Sequence, residues 1–198
     1  MKKIILLGSC FSLAAWAVSC KQSTTADSAP PVTKDSLIKR GSYLVATMGC
    51  DDCHTPKLMT AQGPAPDMEH RLSGHPAGTT LPPRGAGAGK DGWVLFSMDQ
   101  TATVGPWGVS YAANISPDST GIGVWSEQQF ATAIRKGKWK GLENSRELMP
   151  PMPWRSYQGL NDADVKALYT YLMSIKPVKN VVPAWEPPAG APPAGAAQ

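Results

Sequence analysis

The sequence predicts an all-α domain with a long irregular insertion, and two observations carry that expectation. Three stretches place apolar residues at helical spacing between recognisable start and stop signals. Between the first two, from Thr55 to Val124, glycine and proline are dense, and only Trp93-Val94-Leu95-Phe96 reads as a short extended piece.

The chain begins Met1-Lys2-Lys3 and continues with an apolar run from Ile4 to Val18. A positive start and about fifteen mostly apolar residues fit an export signal and are too few for a comfortable membrane span. The run ends at Ala17-Val18-Ser19-Cys20, a small residue before a cysteine, as in the lipobox of bacterial lipoproteins. Residues 1–19 are therefore expected to be a lipoprotein signal peptide, with Cys20 lipidated as the first mature residue. Leu7-Gly8-Ser9-Cys10 matches by letter but would leave too short an apolar region, and an ordinary cleavage site with Cys20 incidental is the competing reading. Residues 20–32, rich in Ser, Thr, Ala and Pro, read as a flexible tether spanning on the order of 15–20 Å. The domain is expected over 33–180, and 181–198, built of Pro, Ala and Gly, as a disordered tail.

Asp35 or Ser36 is expected to cap the first helix, which carries Leu37, Ile38, Tyr43, Leu44 and Val45 and ends at Gly49. Cys50-Asp51-Asp52-Cys53-His54 follows at once. Two thiols three positions apart can each add to one vinyl group of a porphyrin, and the next histidine is carried to the iron. The pattern is that of a c-type haem attachment site. A redox C-x-x-C should sit in a βαβ pattern, which is absent, and a zinc site needs two more ligands, whereas the other cysteines, Cys10 and Cys20, lie in the leader. Export supports this reading, because covalent haem attachment in bacteria is completed outside the cytoplasm. One such motif implies one haem c, attached through Cys50 and Cys53 and ligated by His54.

The insertion, in which 78–92 is longest and richest in glycine, needs something to organise it. A haem wrapped by Trp93, Phe96, Trp107, Tyr111 and Ile115 is expected to do so. The second helix spans Ser126 to Arg135, with a Ser126/Gln129 capping box and Gly137 as stop. The third opens at Asn161, carries Val165, Leu168, Leu172 and Ile175, and is stopped by Pro177.

Before that helix stands Met149-Pro150-Pro151-Met152-Pro153-Trp154. A thioether is a soft ligand that raises the potential of haem iron, and prolines on both sides of Met152 restrict its backbone. Met152 is the expected sixth ligand and Met149 a packing residue. His70 and His75 are the competitors for that position, which would give a bis-histidine haem of lower potential.

The motifs Arg40–Val45, Cys50–Thr55, Asn114-Ile115-Ser116-Pro117-Asp118, Thr120–Ser126, Pro151–Trp154 and Leu168–Leu172 together resemble a class I cytochrome c domain. They are similar to the modules in cytochrome subunits of bacterial alcohol and aldehyde dehydrogenases and in related mono- and dihaem lipoproteins. The resemblance implies three main helices around one covalently bound haem, with His54 and Met152 as axial pair. It also implies that the first and last helices cross closely at Gly41 with Tyr171 against the crossing. Asn114 would lie near the haem, either as a polar contact or as a turn former, and Arg71 or Arg84 could pair with a propionate. The chain departs from those subunits in having one haem motif where they carry several.

The expected function is single-electron transfer on the periplasmic side of a membrane, from a periplasmic dehydrogenase or other donor to an oxidase or another cytochrome, with a lipid anchor and no enzymatic step. The alternative is a peroxidase-like haem enzyme or a gas or redox sensor with an open or labile sixth position. Net charge is +4, or +2 once Lys2 and Lys3 leave, too weak to argue for nucleic acid or for strong steering to an acidic partner.

Overall fold

A computed structural model describes residues 31–83, 89 and 92–188. The expected signal peptide, Cys20 and most of the tether lie outside the described residues, as do 84–88 and 90–91 of the insertion and 189–198 of the tail.

Helix α1 (Lys34–Thr47) starts at Thr33, not at Asp35 or Ser36. Thr33 Oγ1 accepts from Ser36 N–H at 3.1 Å while Ser36 Oγ accepts from Thr33 N–H at 3.0 Å, so two hydroxyls three residues apart satisfy each other's orphan donors. Gly49, at φ 70°, turns the chain so sharply that α2 (Cys50–His54) begins in the next residue. Helix α3 (Glu127–Lys136) has the expected Ser126/Gln129 box and ends at Gly137 in the left-handed conformation. Asn161 Oδ1 caps α4 (Asp162–Leu172) by accepting from Asp164 N–H at 2.8 Å.

The all-α expectation is overturned, since two small antiparallel sheets occupy the stretch read as irregular. One pairs β1 (Lys57–Thr60) with β2 (Gly63–Pro66). The other orders β3 (Leu95–Phe96), β4 (Ala102–Gly105) and β5 (Gly108–Tyr111) side by side. The physical reason is turn chemistry. Ala61-Gln62 and Pro106-Trp107 form two-residue turns, followed by Gly63 at φ 108° and Gly108 at φ 94°. The glycines and prolines punctuate hairpins; they do not mark absence of structure.

The tail also differs from expectation. Glu186 exchanges backbone hydrogen bonds with Val109 of β5 at 2.8 and 3.0 Å, and Trp185 Nε1 donates to Trp107 O at 2.7 Å. Residues 181–188 therefore extend the folded body, because backbone pairing asks little of the side chains.

The core lies where α1 crosses α4. A β-carbon on Gly41 would stand 2.1 Å from Ala167 O and 2.5 Å from Tyr171 Cβ, so the backbones meet with no room for a side chain. Leu44 and Val45 of α1, Val165, Leu168 and Leu172 of α4, and Phe130 and Ile134 of α3 fill the space behind, with Leu72 and Ile122 closing it. Arg40 Nε reaches Asp164 Oδ1 at 2.8 Å across the same crossing. Gly41→Ala is expected to destabilise by about 1–3 kcal/mol, roughly 5 °C in Tm, through forced separation of the helices. A thermal melt unchanged by the substitution would contradict the close crossing.

Candidate functional site

Cys50 and Cys53 stand one turn apart on α2, on one face of the helix, and are not bonded to each other. Burial pushes the Cys50 thiol up to about 11 and raises that of Cys53 as well. His54 closes the helix. Its Nδ1 lies 2.7 Å from the carbonyl oxygen of Ala113, and since a carbonyl only accepts, Nδ1 carries the proton. Nε2 is thereby left with its lone pair. Desolvation lowers the pKa of the ring and keeps it neutral, the form that ligates a metal.

The carbonyl that orients His54 is itself held in place. Asn114, the next residue, is buried with both ends of its amide engaged. Nδ2 donates to Val178 O at 2.8 Å and Thr120 Oγ1 at 3.1 Å, while Oδ1 accepts from Ser116 N–H and Oγ–H at 2.9 and 2.7 Å. Its amide therefore works as a joint between the segment after β5 and the segment after α4. The N–H of Gly74 donates to His54 O at 2.8 Å from the other side.

Within the motif, Asp51 is the anchor to the rest of the fold. Arg71 grips it with Nε to Oδ1 at 2.9 Å and Nη2 to Oδ2 at 2.7 Å, and Nη1 donates to Tyr171 Oη of α4 at 2.5 Å. Thr55 Oγ1 donates to Asp51 Oδ1 at 2.7 Å and accepts from Leu72 N–H at 3.0 Å. Arg71 is thus occupied by Asp51, and Arg84 lies outside the described residues. Sequence reasoning passed over Asp51, although an acid inside the motif with an arginine twenty residues on is the signal that marks it.

Met152 is half-buried, in a loop fastened at three points. The N–H of Leu148 donates to Gly137 O at 2.6 Å, Ser110 Oγ donates to Pro150 O at 2.5 Å, and Tyr157 Oη donates to Met48 O at 3.0 Å. The last of these places the loop's far end against the chain two residues before Cys50. Ser110 lies three residues before Ala113, so one short segment, 110–113, holds both the Met152 loop and His54. Met149 is also half-buried.

Of the competitors, His70 is exposed and held by Asp67 Oδ2 at 2.6 Å. His75 is 1 % exposed; Nδ1 pairs with Thr101 Oγ1 at 2.7 Å, its ring packs on Tyr111, and Nε2 has no partner. The apolar residues expected to wrap a cofactor divide. Ile115 flanks the core, whereas Trp93 and Phe96 are exposed, at 71 % and 51 %. Met48, Trp125, Tyr157, Leu160 and Tyr169, half-buried against the same core, supply the apolar flank instead.

This donor set fits a haem c: two unbonded thiols on one helical face, and after them a neutral imidazole with its Nε2 lone pair free. The chain matches the family model for cytochrome c over residues 38–176. It is 35% identical over 140 residues to the gluconate 2-dehydrogenase cytochrome c subunit of Pantoea cypripedii, covering 70% of this chain and 23% of the relative. It is 32% identical over 143 residues to the fructose dehydrogenase cytochrome subunit of Gluconobacter japonicus, covering 71% and 22%. It is 29% identical over 146 residues to the cytochrome c subunit of the quinone-dependent alcohol dehydrogenase of Gluconobacter oxydans, covering 73% and 23%. The chain thus spans about a quarter of the length of these relatives. Asp51→Asn, which weakens the hold on Arg71, is expected to lower stability by about 1–3 kcal/mol. Guanidinium denaturation with an unshifted midpoint would show that Asp51 does not anchor the motif.

Proposed function

The chain belongs to the cytochrome c family, and we propose that it is a single-haem carrier passing one electron at a time between a dehydrogenase and an oxidase or second cytochrome. One observation carries the reading: His54 presents a neutral imidazole, with its tautomer fixed by Ala113, at the end of the turn that bears both thiols. Haem c, when bound, supplies a one-electron iron couple. Cys50 and Cys53 would hold it covalently, with His54 Nε2 and Met152 Sδ as the protein ligands to its iron. The thioether and the apolar flank of Ile115, Trp125 and Tyr157 favour the ferrous state. With His54 and Met152 both as ligands the iron would be closed to substrate, and the carrier role would need no general acid, base or nucleophile.

The dehydrogenase as donor is supported by the names of the relatives, which are cytochrome subunits of such enzymes. The single haem motif makes the chain one station between donor and acceptor. Among the described residues no helix is long and apolar enough to cross a membrane. Attachment to the periplasmic face is assigned to lipid on Cys20.

The haem-loaded protein is expected to give a low-spin optical spectrum with the weak far-red sulfur-to-iron band, unchanged by carbon monoxide. Met152→Ala is expected to abolish the band, open the iron to carbon monoxide and lower the potential. Carbon monoxide binding to the wild type would sink the closed-iron carrier and favour an enzyme or sensor. A low-spin spectrum without the sulfur band would move the sixth ligand to a histidine.

A further inference from the structure

The turn after α3 carries more positive charge than the fold uses. Six cations stand at the end of α3, on the turn and returning segment that follow it, and at Arg155. Arg135 pairs with Asp162 at 2.8 Å, Lys136 with Glu143 at 2.7 Å and Arg155 with Glu147 at 3.2 Å. The other three, Lys138, Lys140 and Arg146, face no carboxylate among the described residues. Lys138 Nζ donates to Ser145 O at 3.4 Å, and Lys140 Nζ sits 4.6 Å over the Trp139 ring. Arg146 is half-buried, with its guanidinium 5.0 Å from the Trp139 ring centre and 5.6 Å from that of Trp185, and one nitrogen on Glu147 O at 2.9 Å.

A guanidinium between two indoles has its plane set in advance, with donors left over at its edge. Desolvation weighs on Arg146 and no acid among the described residues offsets it. Such a cation is stabilised when a carboxylate arrives from outside. Trp and Arg at the centre, with Lys138 and Lys140 beside them, are the residue types that concentrate binding energy in protein contacts. A lipid surface would suit projecting aromatic rings better, and here only Trp139, 40 % exposed, projects while Trp185 is recessed.

The face also adjoins the proposed ligand loop. The N–H of Trp139 donates to Arg146 O at 2.9 Å, the backbones of Lys138 and Glu147 pair in an antiparallel bridge, and the N–H of Leu148 donates to Gly137 O. Met149 follows directly. We propose that Lys138, Trp139, Lys140, Arg146 and Trp185 form the docking face for the acidic surface of a redox partner protein, with Arg146 binding a partner carboxylate. The inference rests on the carrier reading for the partner's redox role and on the charge arrangement for its acidity. Lys138 and Lys140 steer the approach, so association weakens as salt rises.

The test is calorimetric titration of the full-length, haem-loaded protein with a deca-glutamate peptide at low ionic strength. Wild type is expected to bind, Arg146→Gln to bind about tenfold more weakly, and Lys138→Gln/Lys140→Gln about fivefold more weakly. Lys34→Gln/Lys39→Gln on α1 is expected to bind within twofold of wild type. Should Arg146→Gln fail to fold, the lysine pair decides. No peptide binding, or equal binding by all variants, would overturn the proposal. So would binding only to phosphatidylglycerol vesicles, which would make the face a lipid contact. Peptide binding requires no electron transfer, and ligation is read separately from the optical spectrum, so failure of the docking face and failure of the carrier reading are distinguishable.

Discussion

The hydrogen bond from His54 Nδ1 to the carbonyl of Ala113, 2.7 Å long, ties the short helix of the C-x-x-C-H motif to the segment that follows β5. It decides three things together: which imidazole nitrogen keeps a lone pair, how the ring is turned, and which part of the irregular stretch must stay fixed. A backbone carbonyl is a rigid partner only if its own segment is rigid. Asn114 provides that rigidity by bonding both to its neighbours and to the segment that leaves α4.

The remaining elements converge on this joint. Gly41 lets α1 and α4 cross at backbone contact, which sets where Tyr171 stands and so where Arg71 can grip Asp51. Gly49 then delivers the motif helix immediately after α1. Ser110 and Tyr157 fasten the Met152 loop to β5 and to the residue before Gly49. The loop and the histidine are thus positioned by the same few segments, although they lie about a hundred residues apart in the chain.

Much of this was legible where the signal is local. The start of α3 follows from Ser126 and Gln129 and its end from Gly137, because capping is settled within one turn of chain. Membership of the cytochrome c family was legible in Cys50, Cys53 and His54, because haem attachment demands that spacing. Thr33 was missed since Thr33, Asp35 and Ser36 can all cap, and only the reciprocal bond selects among them. The hairpins escaped because Ala-Gln-Gly and Pro-Trp-Gly lack the usual Asn-Gly turn, and β4 and β5 bury residues on both faces without alternation. The work of Asn114 depends on Val178, 64 residues away, and no local pattern encodes such a partner.

The central proposal is that the loop fastened to the same segment as His54 carries Met152 as the second iron ligand. Methionine-methyl-labelled, haem-loaded protein in the ferrous state tests it by NMR, because a methyl held over the porphyrin plane is displaced far upfield by the ring current. One such resonance is predicted, lost in Met152→Leu and retained in Met149→Leu. Its absence from the wild type, or its persistence in Met152→Leu, would contradict the account.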